Sequence, residues 1–217
     1  MTFTDVVTRL EGGLRRELPG PEAQARLAPI PRREWPQGFD QARIRHAAGL
    51  LLVFPGNTSN ASSDRAHIVL TVRADRLRHG GQVSLPGGVV EPGETVEQAA
   101  LREAHEEVAL PLAQVRVLGA LTPLDIPVSG FRLHPIVALS ETPPCLTPAD
   151  AEVARILEVA VDELLAPANF VRTRRERDGV EYVVPAFRVC GHEIWGATAM
   201  ILAEFLAMLG LPGKKSR

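Results

Sequence analysis

The chain has 217 residues, 45% of them apolar, and a formal charge of −2 from 24 basic and 26 acidic residues. That is enough for one domain with a sizeable core and terminal additions, and too balanced in charge for the broad basic field of a nucleic-acid binder. No apolar run approaches the roughly 18 residues of a membrane span, and Cys145 and Cys190, with no secretory pattern at the start, read as free thiols of a cytoplasmic protein.

Residues 4–17 read as an amphipathic helix, with Val6, Val7, Leu10 and Leu14 at helical spacing and Pro19-Gly20 as the stop. Residues 27–42, rich in proline and charge, read as an irregular arm. This divides a single domain of 1–217 into a helix and arm (1–42) and a core (43–210). Ala47–Phe54 and His67–Arg73 have the length and composition of strands, and the run GNTSNASSDR between them reads as a hairpin loop. Glycine pairs follow at Gly80-Gly81 and Gly87-Gly88. From Glu94 to about Val108 the pattern is helical, with Val96, Ala100, Ala104 and Val108 on one stripe. Val115–Leu121 and Phe131–Leu139 read as strands joined by a Pro/Gly turn, and Val153–Val159 as a strand leading into a short helix, VDELLA. The basic residues at 172–177 read only as a cluster, and Glu181–Val189 and Glu193–Trp195 as strands, with Trp195 as a packing residue. Thr198–Leu209 is the second long helix, ended by Gly210 and Pro212. The sum is an α/β domain, a mixed sheet packed between helices.

The segment that carries chemistry is the first long helix. Glu103, Glu106 and Glu107 are spaced i, i+3, i+4 and project from one face. Three like charges there repel one another, and a hard divalent cation such as Mg²⁺ removes the repulsion. The apolar stripe opposite pins the helix to a core and gives the carboxylates a rigid base. A solvated acidic face is the alternative reading of such a cluster taken alone.

The flanking residues decide between the two. Gly88, Glu94, Arg102, Glu103, Glu106, Glu107 and Leu110 fall in register with G-x5-E-x7-R-E-U-x-E-E-x-G-U, where U is bulky and aliphatic. Average residue usage gives six such fixed matches by chance about once in 10⁵ chains of this length. The segment therefore resembles the Nudix box, and the resemblance implies the Nudix fold (a mixed sheet sandwiched between helices, α/β/α) and hydrolysis of a nucleoside diphosphate derivative. It also implies Mg²⁺ or Mn²⁺ held by Glu103, Glu106, Glu107 and the backbone carbonyl of Gly87. Glu103 either joins the metal ligands or takes the water proton. Arg102 is expected to orient a glutamate through a bidentate pair, and Glu94 to support the loop and the helix start. Asp150 and Glu152 are candidates for a further carboxylate, or two surface acids beside a turn. Ala104 stands where the pattern has bulk, and Ala109 where it has glycine. An alanine in a left-handed helix end costs about 1–2 kcal/mol, so Ala109 is expected to be right-handed and the helix to end another way, aided by Pro111.

The residues before the box are similar to the element that precedes it in coenzyme A diphosphatases of the same family. Leu70, Thr71, Arg73, Leu77, His79, Gly81, Gln82, Val83, Pro86, Gly87 and Gly88 match that element. This similarity implies coenzyme A as the small-molecule substrate and assigns Arg73, His79, Gln82 and Gly88 to substrate binding. Arg73, Arg76, Arg78 and His79 form a basic cluster suited to phosphates. Two other functions stay open: a Nudix hydrolase of ADP-ribose or another nucleoside diphosphate derivative, and a Nudix fold turned ligand-binding regulator. The intact carboxylate set argues against the regulator. No nucleic-acid or membrane partner is expected, and a homodimer through the N-terminal arm is compatible with the sequence.

Overall fold

The apolar run that begins at Ala47 is a strand buried on both faces. This strand, β1, spans Arg45–Pro55. Its alternate residues divide between two cores, Ala48, Leu50, Leu52 and Phe54 facing one and Leu51 and Val53 the other. Burial on both faces is why the run is continuously apolar instead of alternating. The structure, a computed structural model, describes residues 1–56, 64–75, 80–177 and 179–210.

The other strands of the main sheet are β2 (Ala66–Arg73), β3 (Val83–Ser84), β4 (Gly87–Val89), β5 (Val115–Ala120), β6 (Leu124–Ile126), β7 (Phe131–Ser140) and β8 (Val153–Ala160). The helices are α1 (Phe3–Gly13), α2 (Gly20–Ala25), α3 (Val96–Val108), α4 (Val161–Leu165) and α5 (Ala197–Met208). Among the described residues the eight strands form one sheet with the path β3-β2-β1-β7-β5, β4 pairing with β1, β6 with β7 and β8 with β2. Only β1 and β7 run parallel; the remaining pairs are antiparallel. β2 pairs with the end of β1, at Val53–Pro55, and β4 with its beginning, at Ala47–Gly49. The glycines that open the box are therefore strand residues, fixed in register against β1. The hairpin expected between β1 and β2 is present as antiparallel pairing, and residues 57–63 of its loop lie outside the described residues.

The layers follow from the two cores. Ala99, Ala100, Ala104 and Val108 of α3 pack on one face of the sheet, while Val6 and Leu10 of α1 and most of α5 pack on the other. This is the expected α/β/α arrangement. A second, three-stranded sheet was not expected; it joins β9 (Phe170–Arg177), β10 (Val180–Val189) and β11 (His192–Trp195) in the order β11-β10-β9. Trp195 at its edge is half-buried, with the Arg175 guanidinium 4.1 Å from its ring centre. No described helix is long and apolar enough to cross a membrane.

Three local expectations are corrected. α1 stops at Gly13 instead of residue 17, because Gly12 and Gly13 are poor helix formers. Pro19-Gly20, read as a stop, instead leads into a further helix ahead of the arm, α2, whose Pro21 sits in the first turn, where a missing N–H costs nothing. Its Gly20 N–H is satisfied by the carboxylate of Glu204 on α5, at 3.1 Å. Glu204 is 0% exposed and also accepts from Gln24 Nε2 (2.8 Å), Thr122 N (3.3 Å) and Thr122 Oγ1 (2.7 Å).

The third correction is at the end of α3. Ala109 is left-handed, with φ 53° and ψ 34°. The N–H groups of Ala109 and Leu110 both turn back to Ala104 O, and Leu110 is 1% exposed in the α3 core. Burying a leucine contributes about 1.5–3 kcal/mol, which exceeds the cost of the left-handed alanine. Ala109→Gly should therefore raise stability by about 1 kcal/mol with activity unchanged, read as a shift in urea midpoint at constant m-value. An unchanged or lower midpoint would contradict the strain.

Candidate active site

α3 begins with a reciprocal cap: Gln98 N donates to Thr95 Oγ1 (3.2 Å), and Thr95 N donates to Gln98 Oε1 (2.9 Å). Glu94 therefore lies just outside the helix. Its carboxylate accepts from Glu91 N (3.0 Å) and, through both oxygens, from Arg102 Nε (2.7 Å) and Nη2 (3.1 Å). The bidentate pair expected of Arg102 is thus made with Glu94. The third guanidinium nitrogen, Nη1, donates to Glu103 Oε1 (3.0 Å) and Glu106 Oε2 (3.1 Å), and Nη2 also reaches Val89 O (3.1 Å). One cation gathers three carboxylates and ties them to β4. The Arg102 hydrogen bonds hold the Glu94 carboxyl below its usual range, and those carboxylates push the Arg102 guanidinium higher still.

Glu107 stands apart from Arg102. It is buried, and its Oε2 accepts from Gly87 N at 3.1 Å. Burial pushes its carboxyl up to about 7, against the Gly87 amide, and the charges of Glu103 and Asp150 push the same way while Arg73 opposes. Burial also raises the Glu103 carboxyl, although Arg102 pulls it down. The two glycines are dictated by contact. A Cβ on Gly87 would lie 2.2 Å from Ala48 O, and one on Gly88 would lie 2.4 Å from Glu103 Oε1.

The structure thus brings together Gly87, Gly88, Glu94, Arg102, Glu103, Glu106 and Glu107. Arg73 lies at the end of β2, where its Nη2 pairs with Glu152 at 2.8 Å, and Gln82 accepts from Arg73 N through its backbone oxygen at 2.9 Å. Arg76, Arg78 and His79 lie outside the described residues. Asp150 lies close enough for its charge to act on Glu107. The Arg73–Glu152 pair joins segments 79 residues apart, and nothing in the sequence marks it.

The NUDIX domain family matches residues 45–178. The chain belongs to the Nudix family. It is 38% identical over 162 residues, 74% of this chain and 82% of the relative, to a protein of Photorhabdus laumondii subsp. laumondii described as an uncharacterized Nudix hydrolase NudL. A protein of the same description from Yersinia pestis is 39% identical over 146 residues, 66% of this chain and 73% of that one. The crystal structure of a Nudix hydrolase from M. smegmatis, RenU, superposes with a TM-score of 0.55 at 23% identity, covering 80% of this chain and 91% of that one, a likeness of fold. The chain is a Nudix hydrolase, a pyrophosphatase.

The donor set of this Nudix hydrolase fits a hard divalent cation. Glu107 is buried with a backbone amide as its donor and other carboxylates as its neighbours, so a negative charge there awaits a positive one. Among the described residues no three acidic, histidine or cysteine side chains converge on one point, because Glu103 and Glu106 turn to Arg102. Arg102 thus stands in place of a cation for those two.

The raised Glu107 carboxyl sets a pH dependence. A carboxyl raised in the folded state contributes stability that is present below its ordinary value of 4.5 and is lost as pH rises through about 7. Glu107→Gln keeps an acceptor for Gly87 and removes the charge. In EDTA it should melt higher than the wild type at pH 8, by a difference of at most about 3 kcal/mol, and the two should converge at pH 5. Equal melting temperatures at pH 8 would rule out the buried charge.

Proposed function

We propose that this Nudix hydrolase cuts the diphosphate bond of coenzyme A or a coenzyme A derivative, giving 3′,5′-ADP and 4′-phosphopantetheine. The observation that carries the substrate is the run from Leu70 to Gly88, which resembles the element preceding the box in coenzyme A diphosphatases. Its placement supports the reading. Arg73 exchanges backbone hydrogen bonds with Gln82 (2.9 Å) and Gly81 (2.8 Å), and the same run ends at Gly87 and Gly88 beneath the Glu103 and Glu107 carboxylates. A substrate whose diphosphate meets those carboxylates lies against this run.

Glu103, Glu106, Glu107 and the Gly87 carbonyl would hold Mg²⁺ or Mn²⁺. The bound metal supplies an acidified water and screens the diphosphate charge. Glu94 keeps Arg102 in place through both its oxygens, so Glu103 and Glu106 would remain available to hold the metal. Glu103 would serve as a ligand or take the proton of the attacking water. His79, Gln82 and Gly88 meet the substrate, Gly88 by offering backbone without a side chain. Arg73 is assigned below.

Product identification tests this reading. Coenzyme A and Mg²⁺ with the purified protein should give the two named products in equal amounts by mass spectrometry, and Glu107→Gln should lower turnover by at least about 100-fold. Intact coenzyme A beside rapid cleavage of ADP-ribose would refute the substrate and leave the chemistry standing.

A further inference from the structure

Arg73 has a second candidate role. Its Nη2 donates to Glu152 Oε2 at 2.8 Å, and Ala74 N donates to Glu152 O at 2.7 Å, so β2 grips Glu152 by side chain and backbone together. Glu152 N in turn donates to Asp150 Oδ1 (2.5 Å), as does Val153 N (3.2 Å), which fixes the Asp150 carboxylate in a tight turn. The same loop is bonded at its other end to the last turn of α3. Thr147 N donates to Val108 O (3.1 Å) and Ala149 N to Glu107 O (3.0 Å). Those carbonyls belong to the set that a helix leaves unpaired at its C terminus. The loop is therefore anchored on the residue that carries the buried carboxylate and on Arg73, with Asp150 between the anchors and near enough for its charge to act on Glu107.

We propose that Arg73 and Glu152 are positioning residues: their ion pair straps the loop 147–152 across the end of α3 and holds Asp150 and Glu107 in the geometry that the metal site needs. Arg73 acts through Glu152 instead of meeting a substrate phosphate. Its backbone holds the Gly81–Gln82 turn at the same time, so one residue sets the substrate-side turn against the carboxylates. The pair is substantially exposed, 40% for Arg73 and 50% for Glu152. An exposed pair adds little to global stability. Its effect lies in where the carboxylates stand, and a displacement of about 1 Å in such a site costs up to about 100-fold in rate.

The inference rests on hydrolysis at the box, not on coenzyme A. Its test compares Arg73→Met, Glu152→Gln, the double variant and Arg73→Lys. Mn²⁺ affinity is measured by EPR without substrate, and kcat and KM with coenzyme A, or with ADP-ribose should coenzyme A not be cut. Arg73→Met and Glu152→Gln should each weaken Mn²⁺ binding and lower kcat by about tenfold, with KM within about twofold. The double variant should be no worse than either single one, as two ends of one strap require. Arg73→Lys, which keeps a charged donor, should retain Mn²⁺ affinity, and melting temperatures should stay near the wild type. A tenfold rise in KM confined to the Arg73 variants, with Mn²⁺ affinity intact, would overturn the strap and make Arg73 a substrate ligand; losses that add in the double variant would also overturn it. The Mn²⁺ measurement contains no substrate, so its outcome is independent of the coenzyme A reading.

Discussion

The site depends on how closely α3 lies on β4 and β1. The Glu103 carboxylate occupies the space that a side chain on Gly88 would fill, and Gly87 leaves no room for one beside Ala48. The helix face against the sheet is made of Ala99, Ala100 and Ala104, with Ala48 opposite. Ala104, small where the family pattern has bulk, belongs to this contact. Small residues on both sides let backbone meet backbone, and the glutamates then lie on the strand without crossing open solvent. Any larger residue in that seam separates the carboxylates from Gly87 and Gly88.

Electrostatics then divides the acids into two kinds. Glu94, Glu103 and Glu106 share one guanidinium, so their charges are matched within the protein. Glu107 is buried with an amide for a partner and carries the raised carboxyl. In the first group the acidic charge is offset by a cation of the protein's own. The second stores a deficit of positive charge. Glu94 differs from the others in binding Arg102 through both oxygens, which fixes the plane of the guanidinium that Glu103 and Glu106 share.

Much of this was legible in the residues. The box spacing decides how the i, i+3, i+4 glutamates are read, and the apolar stripe opposite them and the apolar run of β1 mark α3 and β1 as elements of the core. β9 did not follow, because FVRTRRER sets arginines at alternate and adjacent positions and hides the apolar alternation of a strand. α2 was hidden by Pro19-Gly20, which signals a stop when its partner Glu204 is not known to lie beside it. The right-handed Ala109 expected from local cost gave way to the burial of Leu110. The Arg73–Glu152 pair is a tertiary contact between the end of β2 and the loop before β8, and no local period points to it.

Glu204 bears on what counts as the folding unit. Its hydrogen bonds gather α2, the turn at Thr122 and α5 around one charge shielded from water. The buried carboxylate has its full set of donors only when all three segments have arrived, which couples their assembly. The family match at 45–178 contains Thr122 and excludes Gly20, Gln24 and Glu204 itself. A fragment cut to that span would keep every box residue and expose the apolar face of β1 that α1 and α5 cover. The stretch that carries the family pattern and the stretch that closes the core are different lengths of sequence.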